Sequence, residues 1–371
     1  MQLCEICNSA NASAFEIGSC YICQGKALKT ESMAQEAAAL LAKEDIKSFS
    51  ISSIIPKDWL IREEHVWDEL TAPHTESVKS ILNRTIISLL CKSTSLRCKT
   101  EGDCRMIFDY SAGRVSIQRN ALFVFGRYKK LVPGLSQSRW LCTKCSGKGC
   151  KACAGKGKYY ESVEERIGEP LKEAAQASDY VLHASGREDV DATNSAGRPF
   201  VLMLKNPRKR ALDLELIGKT IGKSGEVSAE DFRVVSREFV EVVTESHFDK
   251  DYGIEVEFKK EPSKDDIEKI KSLEGRTIAQ RTPKRVAHRR ADIVRHRKVK
   301  KIDVKNVKGK RVILHLTVEA GTYVKELVSG DEERTKPSIA GLLSIEAKCK
   351  KLEVVEIEDG FIDLCLEAMY G

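Results

Sequence analysis

Apolar residues in SMAQEAAALLAKEDIKSF recur at the period of one helix face, and the segment leads into SISSIIP, which reads as a strand. A second helix is predicted over TESVKSILNRTIISLLCKS, and CRMIFDYSAGRVSIQRNALFVFG then reads as a strand pair turning at SAGR. Helix and strand alternate through residues 29–140 on the scale of a small α/β module. Residues 161–371 follow a cysteine-rich stretch and open with the helix SVEERIGEPLKEAAQAS. In that second part FVLMLKNP, ALDLELIG, EFVEVVTES, YGIEVEFKK, VILHLTVEA and KLEVVEIED all read as strands, and DDIEKIKSLEG is a helix closed by glycine. Many strands with few helices between them predict a mixed, largely antiparallel sheet rather than a doubly wound one. The fold class expected is α+β.

With 371 residues, 42% of them apolar and 32% charged, the chain has material for two or three domains, each with a buried core. No stretch approaches the ~20 consecutive apolar residues of a membrane span. The opening MQLCEIC lacks a basic segment followed by an apolar one, so a cytoplasmic location is expected, with no membrane partner. The net charge of +7 is unevenly placed. From Arg281 to Lys301, RTPKRVAHRRADIVRHRKVKK carries ten Lys and Arg and one acid, Asp292. Val286, Ala287, Ile293 and Val294 interleave with these charges, which predicts a folded basic face suited to phosphate backbone. Arg281, Lys284, Arg285, Arg289 and Arg290 are the expected RNA contacts. The shorter cluster KNPRKR, Lys205 to Arg210, reads equally as a solvated face.

Eight of the 13 cysteines form four C-x-x-C pairs. Cys4, Cys7, Cys20 and Cys23 have the spacing of a tetrahedral zinc ribbon over residues 1–28. Cys142, Cys145, Cys150 and Cys153 lie in CTKCSGKGCKACAGKGK, expected as a second zinc knuckle and linker over residues 141–160. The short spacing allows one compact site, and the same repeat allows pairing with a distant clasp. All ligands in either quartet come from protein, so these zincs are expected to be structural. Redox chemistry, the other use of C-x-x-C, lacks a thioredoxin-like strand and helix around any pair.

No organic cofactor is expected. IGKTIGKS places three residues between Gly218 and Gly222 where a P-loop needs four, and no strand ends in G-x-G-x-x-G. The segment HASGREDVDATNSAGRPF, from His183 to Phe200, puts Asp189 in a loop with Arg187, Glu188 and Asp191 beside it. By composition alone such a loop is a solvated turn more often than a site.

GREDVD resembles the G-R-x-D motif of pseudouridine synthases, in which the aspartate is the nucleophile. KDYGIEVEF is similar to the K-x-Y strand of the TruB-like synthases, and AGTYVKEL to their G-T-Y-I-R segment. With the C-x-x-C pairs, FVFGRYKKLVPGLSQSRW, RTPKRVAHRRAD and TYVKELVSGDEERTKPSI, nearly the whole chain resembles the Pus10 family in its archaeal form. The resemblance implies a THUMP-containing accessory domain, a synthase domain, and action on uridines 54 and 55 in the TΨC arm of tRNA. It implies Asp189 as nucleophile, Tyr252 stacking on the base, Tyr323 and Lys325 in the pocket with Lys325 as the aspartate's cation, Arg187 beside it and Leu352 on the pocket wall. The chain departs from the family's D-E-G-R-T at Glu333, and from the TruB-type arginine at Lys325, whose ammonium cannot form a bidentate fork with a carboxylate.

These residue types suit the chemistry. Moving a uracil from nitrogen to carbon linkage needs neither redox equivalents nor ATP, only an ionised carboxylate, a cation that keeps it so, and an aromatic face to hold the detached base. The expected partner is tRNA and the expected state a monomer. The competing function is a non-catalytic zinc and THUMP adaptor for tRNA; a zinc deaminase would need the H-x-E…P-C-x-x-C signature, which is absent.

Overall fold

The computed structural model describes residues 1–11, 13–70, 76–288 and 290–371, so Arg289 lies outside the described residues. Two compact units are present, each built on its own sheet. The first comprises Met1–Leu122 with Lys172–Tyr180 and Leu204–Leu212. Its four strands run in the order Arg97–Cys98, Ser48–Ile54, Cys104–Asp109, Arg114–Arg119, with the middle pair parallel and the last pair antiparallel. Helix Thr30–Leu41 buries Met33, Ala37 and Leu41, and helix Val78–Ser93 buries Ile81, Leu82, Ile86 and Leu90. These i, i+3 and i+4 stripes share one core with Phe49, Met106 and Phe108. Ser77 starts the second helix by accepting from Ser80 N at 3.2 Å.

The expected separate ribbon over residues 1–28 is absorbed into this unit, because Leu3, Cys4, Cys7, Ile22 and Cys23 belong to the same core. The expected boundary at residue 140 also moves. Strand Leu122–Lys130 pairs antiparallel with Val227–Val235 and buries Val124, Phe125, Tyr128 and Lys130 in the second sheet, so the break falls at Leu122 and Phe123. Within 161–371, two short segments return to the first unit. One holds KNPRKR, whose Arg210 is not a free surface cation: its guanidinium donates to Asp103 O at 2.7 Å, and its backbone N to Asp45 Oδ2 at 2.7 Å.

The second unit contains Phe123–Leu171, Val181–Met203 and Asp213–Gly371. Its ten-stranded sheet runs Val227–Val235, Leu122–Lys130, Thr193–Lys205, Ala347–Ile357, Lys250–Phe258, Arg311–Val318, Val294–Lys308, Thr277–Arg281, Thr335–Lys336, with Asp179–Ala184 beside Thr193–Lys205. From Ala347–Ile357 onward the pairing is antiparallel, while Thr193–Lys205 meets Ala347–Ile357 in parallel at Glu353 and Val354. Ile254, Val256, Val312, Leu314 and Leu316 form the core of the central strands.

Two expected strands are helices. ALDLELIG enters helix Leu214–Gly222, started by the Asp213 carboxylate accepting from Leu216 N at 3.0 Å, with Ile217 and Ile221 buried one turn apart. This places the IGKTIGK run largely inside a helix, which a phosphate-cradling loop cannot be. EFVEVVTES contains helix Phe239–Glu245, where Phe239 and Val243 are the buried i, i+4 pair and the β-branched residues between them mislead. Strand Val294–Lys308 escapes the hydrophobic pattern because Val299 and Ile302 are its only fully buried positions.

The Asp331–Glu333 turn is left-handed at three successive non-glycine residues, with φ of 46°, 53° and 68°. Glu333 occupies the position of the family's glycine. A side chain there costs about 1 kcal/mol, and the exposed Glu333–Lys336 pair offsets little of it. Glu333→Gly is expected to raise stability by up to ~1 kcal/mol, less the added entropy of the unfolded chain. Denaturant unfolding at constant m-value measures it, and a loss of more than 1 kcal/mol would contradict the strain.

Candidate active site

The loop carrying Asp189 joins strands Asp179–Ala184 and Thr193–Lys205 and is held from below by its backbone and by Glu188. Lys130 Nζ donates to Asp189 O at 3.0 Å and Val190 O at 2.9 Å, Gly134 N donates to Val190 O at 2.7 Å, and Gln137 Nε2 to Gly186 O at 2.9 Å. Glu188 turns inward, its side chain 2% exposed, where Arg198 Nε lies 2.8 Å away and the Tyr128 hydroxyl donates to both carboxylate oxygens at 2.9 and 3.0 Å. Arg198 Nη1 donates to Ser185 O at 2.7 Å. Burial, then the Glu188 charge, pushes the Tyr128 phenol well above its ordinary range, so it stays a donor. With Glu188 turned in, the neighbouring Asp189 faces a cavity of about 400 Å³.

Asp189 meets two cations there. Arg285 Nη1 donates to Oδ1 at 2.7 Å, and Lys325 Nζ lies 3.3 Å from Oδ2. Burial pushes the Asp189 carboxyl up, but Arg285 and then Lys325 outweigh it and hold the group below the usual carboxylate range. Each cation is shared. Lys325 also donates to Asp191 Oδ1 at 2.5 Å, and Arg285 Nε to buried Glu326 Oε1 at 2.7 Å. Lys325, expected as the partner of Asp189, thus sits closer to exposed Asp191, while Arg285 gives Asp189 one guanidinium hydrogen bond and turns its two-pronged edge to Glu326.

Tyr252, Tyr323, Leu352 and Arg187 line the same cavity. Tyr252 and Leu352 reach it from adjacent strands, where Tyr252 pairs with Val354 and Leu352 with Ile254. Tyr323 precedes helix Val324–Ser329, and its backbone is gripped on both sides by buried Gln280, whose Nε2 donates to Tyr323 O at 3.0 Å while Oε1 accepts from Tyr323 N at 2.9 Å. Arg290 Nη1 donates to the Tyr323 hydroxyl at 3.1 Å. The expected RNA contacts therefore divide. Arg285 is a site residue and Arg290 a cavity residue, whereas Arg281 pairs with Asp292 at 2.6 Å and Lys284 with Glu332. Gln280 and Lys130 escaped the sequence reading, since each acts on a residue far away in the chain; Arg198, within the His183 to Phe200 segment, carries no motif signal of its own role.

Against this geometry, a sequence profile described as "Pus10, C-terminal" matches residues 123–358, beginning where the second unit begins. The tRNA pseudouridine synthase Pus10 of Korarchaeum cryptofilum is 36% identical over 347 residues, covering 92% of this chain and 93% of its own. That of Archaeoglobus fulgidus is 34% identical over 361 residues, covering 96% and 100%. The chain belongs to the Pus10 family. It is a tRNA pseudouridine synthase, an isomerase, and the non-catalytic adaptor is set aside.

The metal ligands expected of a Pus10 chain also come together. In each quartet the four Sγ atoms lie within 4.8 Å of one another. A tetrahedral zinc with Zn–S of about 2.3 Å sets its sulfurs about 3.8 Å apart. The Cys142–Cys150, Cys145–Cys153 and Cys150–Cys153 separations are 3.8, 3.9 and 3.8 Å, and Cys4–Cys23 is 3.5 Å. Gly149 N donates to Cys145 Sγ, and Gly157 N to Cys153 Sγ, at 3.2 Å, as thiolate acceptors require. The second quartet closes on itself, with no distant clasp among the described residues. No described helix is long and apolar enough to cross a membrane.

Lys250, at the start of the Tyr252 strand, lines the Pus10 cavity and donates to Phe248 O at 2.6 Å. Burial, then Arg198, pushes it down to about 8 from 10.5. The unfolded chain therefore binds more protons between pH 8 and 10.5, and stability should rise with pH across that window. Below pH 8 the buried charge costs at most roughly 3 kcal/mol. Lys250→Met is expected to remove the rise and to be relatively more stable at pH 7 than at pH 10.5. Equal pH dependence of Tm in both proteins would exclude the depressed lysine.

Proposed function

We propose that this chain converts uridines 54 and 55 of the TΨC arm of tRNA to pseudouridine, with Asp189 as the nucleophile. The observation that carries the reading is an ionised carboxylate fixed between Arg285 and Lys325 at a cavity faced by Tyr252, Tyr323 and Leu352. The N1–C1′ bond of uridine breaks, the uracil turns, and C5–C1′ forms while the C5 proton leaves and a proton is restored at N1. Substrate and product are isomers, so the chain's own residues suffice. Asp189 attacks at the sugar or base, Tyr252 holds the detached ring by stacking, and the two cations keep Asp189 charged. The target nucleotide leaves its stack to reach Asp189. Arg187 and Arg290, which line the cavity, are the residues we assign to phosphates flanking it, with Arg281, Lys284 and Arg289 as outer contacts. The first unit serves as the THUMP-like RNA-binding part, and a monomer acting in the cytoplasm is the working unit.

Zinc is the metal we assign to both quartets, held by Cys4, Cys7, Cys20 and Cys23 and by Cys142, Cys145, Cys150 and Cys153, with a structural role only. Metal analysis of protein purified without chelator should find close to two zincs per chain, falling to one in Cys142→Ala/Cys145→Ala. Folded protein free of metal would overturn the assignment.

Asp189→Asn keeps the shape and removes the charge. Single-turnover conversion of unmodified tRNA at saturating enzyme should fall by roughly three orders of magnitude or more, with fold and metal content unchanged. Asp191→Asn is the suitable control, since Asp191 is exposed and touches only Lys325 among the site's cations, whereas Glu188→Gln would disturb the buried ion pair beneath the loop. Substantial conversion by Asp189→Asn, or product at neither uridine 54 nor 55 with wild type, would remove the corresponding part of the proposal.

A further inference from the structure

The second cysteine quartet carries a surface that its metal does not explain. From Arg139 to Tyr160 the sequence has six Lys and Arg and no acid. Lys144, Lys148, Lys151 and Lys156 project from the knuckle as exposed side chains, and among the described residues none has an acid within ion-pair distance. Arg139 and Lys158, at the two ends of the stretch, are neutralised, Arg139 by Glu164 at 3.4 Å and Lys158 by Glu161 and Glu165 at 2.8 Å each.

Beside these lysines stands a group of aromatic rings. Trp140, Tyr159 and Tyr160 are 39%, 42% and 41% exposed, unusual for three large rings in mutual contact. Trp140 lies 5.5 Å from Tyr160 and 6.1 Å from Tyr159, centroid to centroid. Their backbone is fixed: Tyr159 N donates to Trp140 O at 3.0 Å, and Cys142 N to Gly157 O at 2.8 Å, so the stem of the knuckle clips both ends of the loop. The Tyr159 hydroxyl is tied to Thr143 Oγ1 at 3.0 Å. Fixed aromatic faces at the stem of a loop that carries four exposed lysines without acid partners match unstacked bases joined by phosphates.

The stem is also rooted in the active site. Gly134 N bonds Val190 O and the Gln137 side chain bonds Gly186 O, both in the loop of Asp189. Trp140 is three residues beyond Gln137, a reach of at most about 11 Å along the chain.

We propose that the knuckle is a second RNA-contact surface, on which Trp140 and Tyr160 stack on unpaired bases of the bound tRNA while Lys144, Lys148 and Lys151 meet the adjoining phosphates. The inference rests on tRNA as substrate and is independent of the role of Asp189. Its failure shows in binding, whereas failure of the catalytic reading shows in turnover by Asp189→Asn.

The test is equilibrium binding of unmodified tRNA across a salt series, using full-length protein whose metal content and circular dichroism match wild type. Trp140→Ala should weaken binding about 5- to 150-fold, the range for loss of one base stack of about 1–3 kcal/mol, and Trp140→Phe should recover most of it. Lys144→Ala/Lys148→Ala/Lys151→Ala should flatten the slope of log K against log salt by about 2 to 3. Wild-type affinity and slope in both sets, with metal retained, would overturn the proposal. A Trp140→Ala protein altered only in self-association or in binding a protein would likewise overturn it, in favour of a protein-docking face.

Discussion

Glu188 and Arg198 form an ion pair whose side chains are 2% and 1% exposed, directly beneath the loop of Asp189. A carboxylate buried this way is tolerated only if its lone pairs are met, and the single Tyr128 hydroxyl proton is shared between its two oxygens. Tyr128 is in turn held by Gln137, which also fixes Gly186 O. Strand Leu122–Lys130, the knuckle stem and the Thr193–Lys205 strand thus converge on one acid. Removing either partner would strand a buried charge, a loss of about 3–5 kcal/mol. The positioning of Asp189 depends on the residue before it pointing inward.

Above that pair the charges are arranged in reverse. Asp189 is half-buried and would drift toward the neutral acid without help; Arg285 and Lys325 prevent it. Two cations on one carboxylate would leave excess positive charge in a partly desolvated site, and Glu326 and Asp191 take up one each. Glu326 is buried and bonded to the planar fork of Arg285, so that cation has a fixed direction. Lys325 pairs with an exposed acid and supplies a point charge, so the direction-fixed cation at Asp189 is Arg285.

The sequence disclosed the parts of this site that are local in the chain. Each cysteine quartet has its ligands within 20 residues, and Asp189, Tyr252, Tyr323 and Lys325 sit in short motifs that carry their own context. Arg285 was visible only as one charge in a basic run, since its contact with Asp189 spans 96 residues and leaves no periodic trace. Gln280 was hidden for the same reason, its contact with Tyr323 spanning 43 residues. In the fold, alternating ALDLELIG and β-branched EFVEVVTES imitate strands, while tertiary burial of Ile217 with Ile221 and of Phe239 with Val243 selects helices. The boundary at Leu122 was missed because a strand does not reveal from its own residues which of two sheets it will join.

The basic run also illustrates why charge density and available charge differ. If every one of its ten cations met a phosphate of duplex RNA or DNA, log K would fall with log salt at a slope near 9. Arg281, Lys284, Arg285, Lys300 and Lys301 already have acid partners, so a phosphate gains less at each. Arg290, Arg295 and Arg297 bond neutral groups instead: the Tyr323 hydroxyl, Thr282 Oγ1 and His296 O. Those bonds orient the side chains without cancelling their charge. All three line the cavity of Asp189. Three cations of the run without an acid partner are therefore gathered at the cavity of Asp189, where the proposed flipped nucleotide would bring its phosphates, and the compensated part serves to hold the walls.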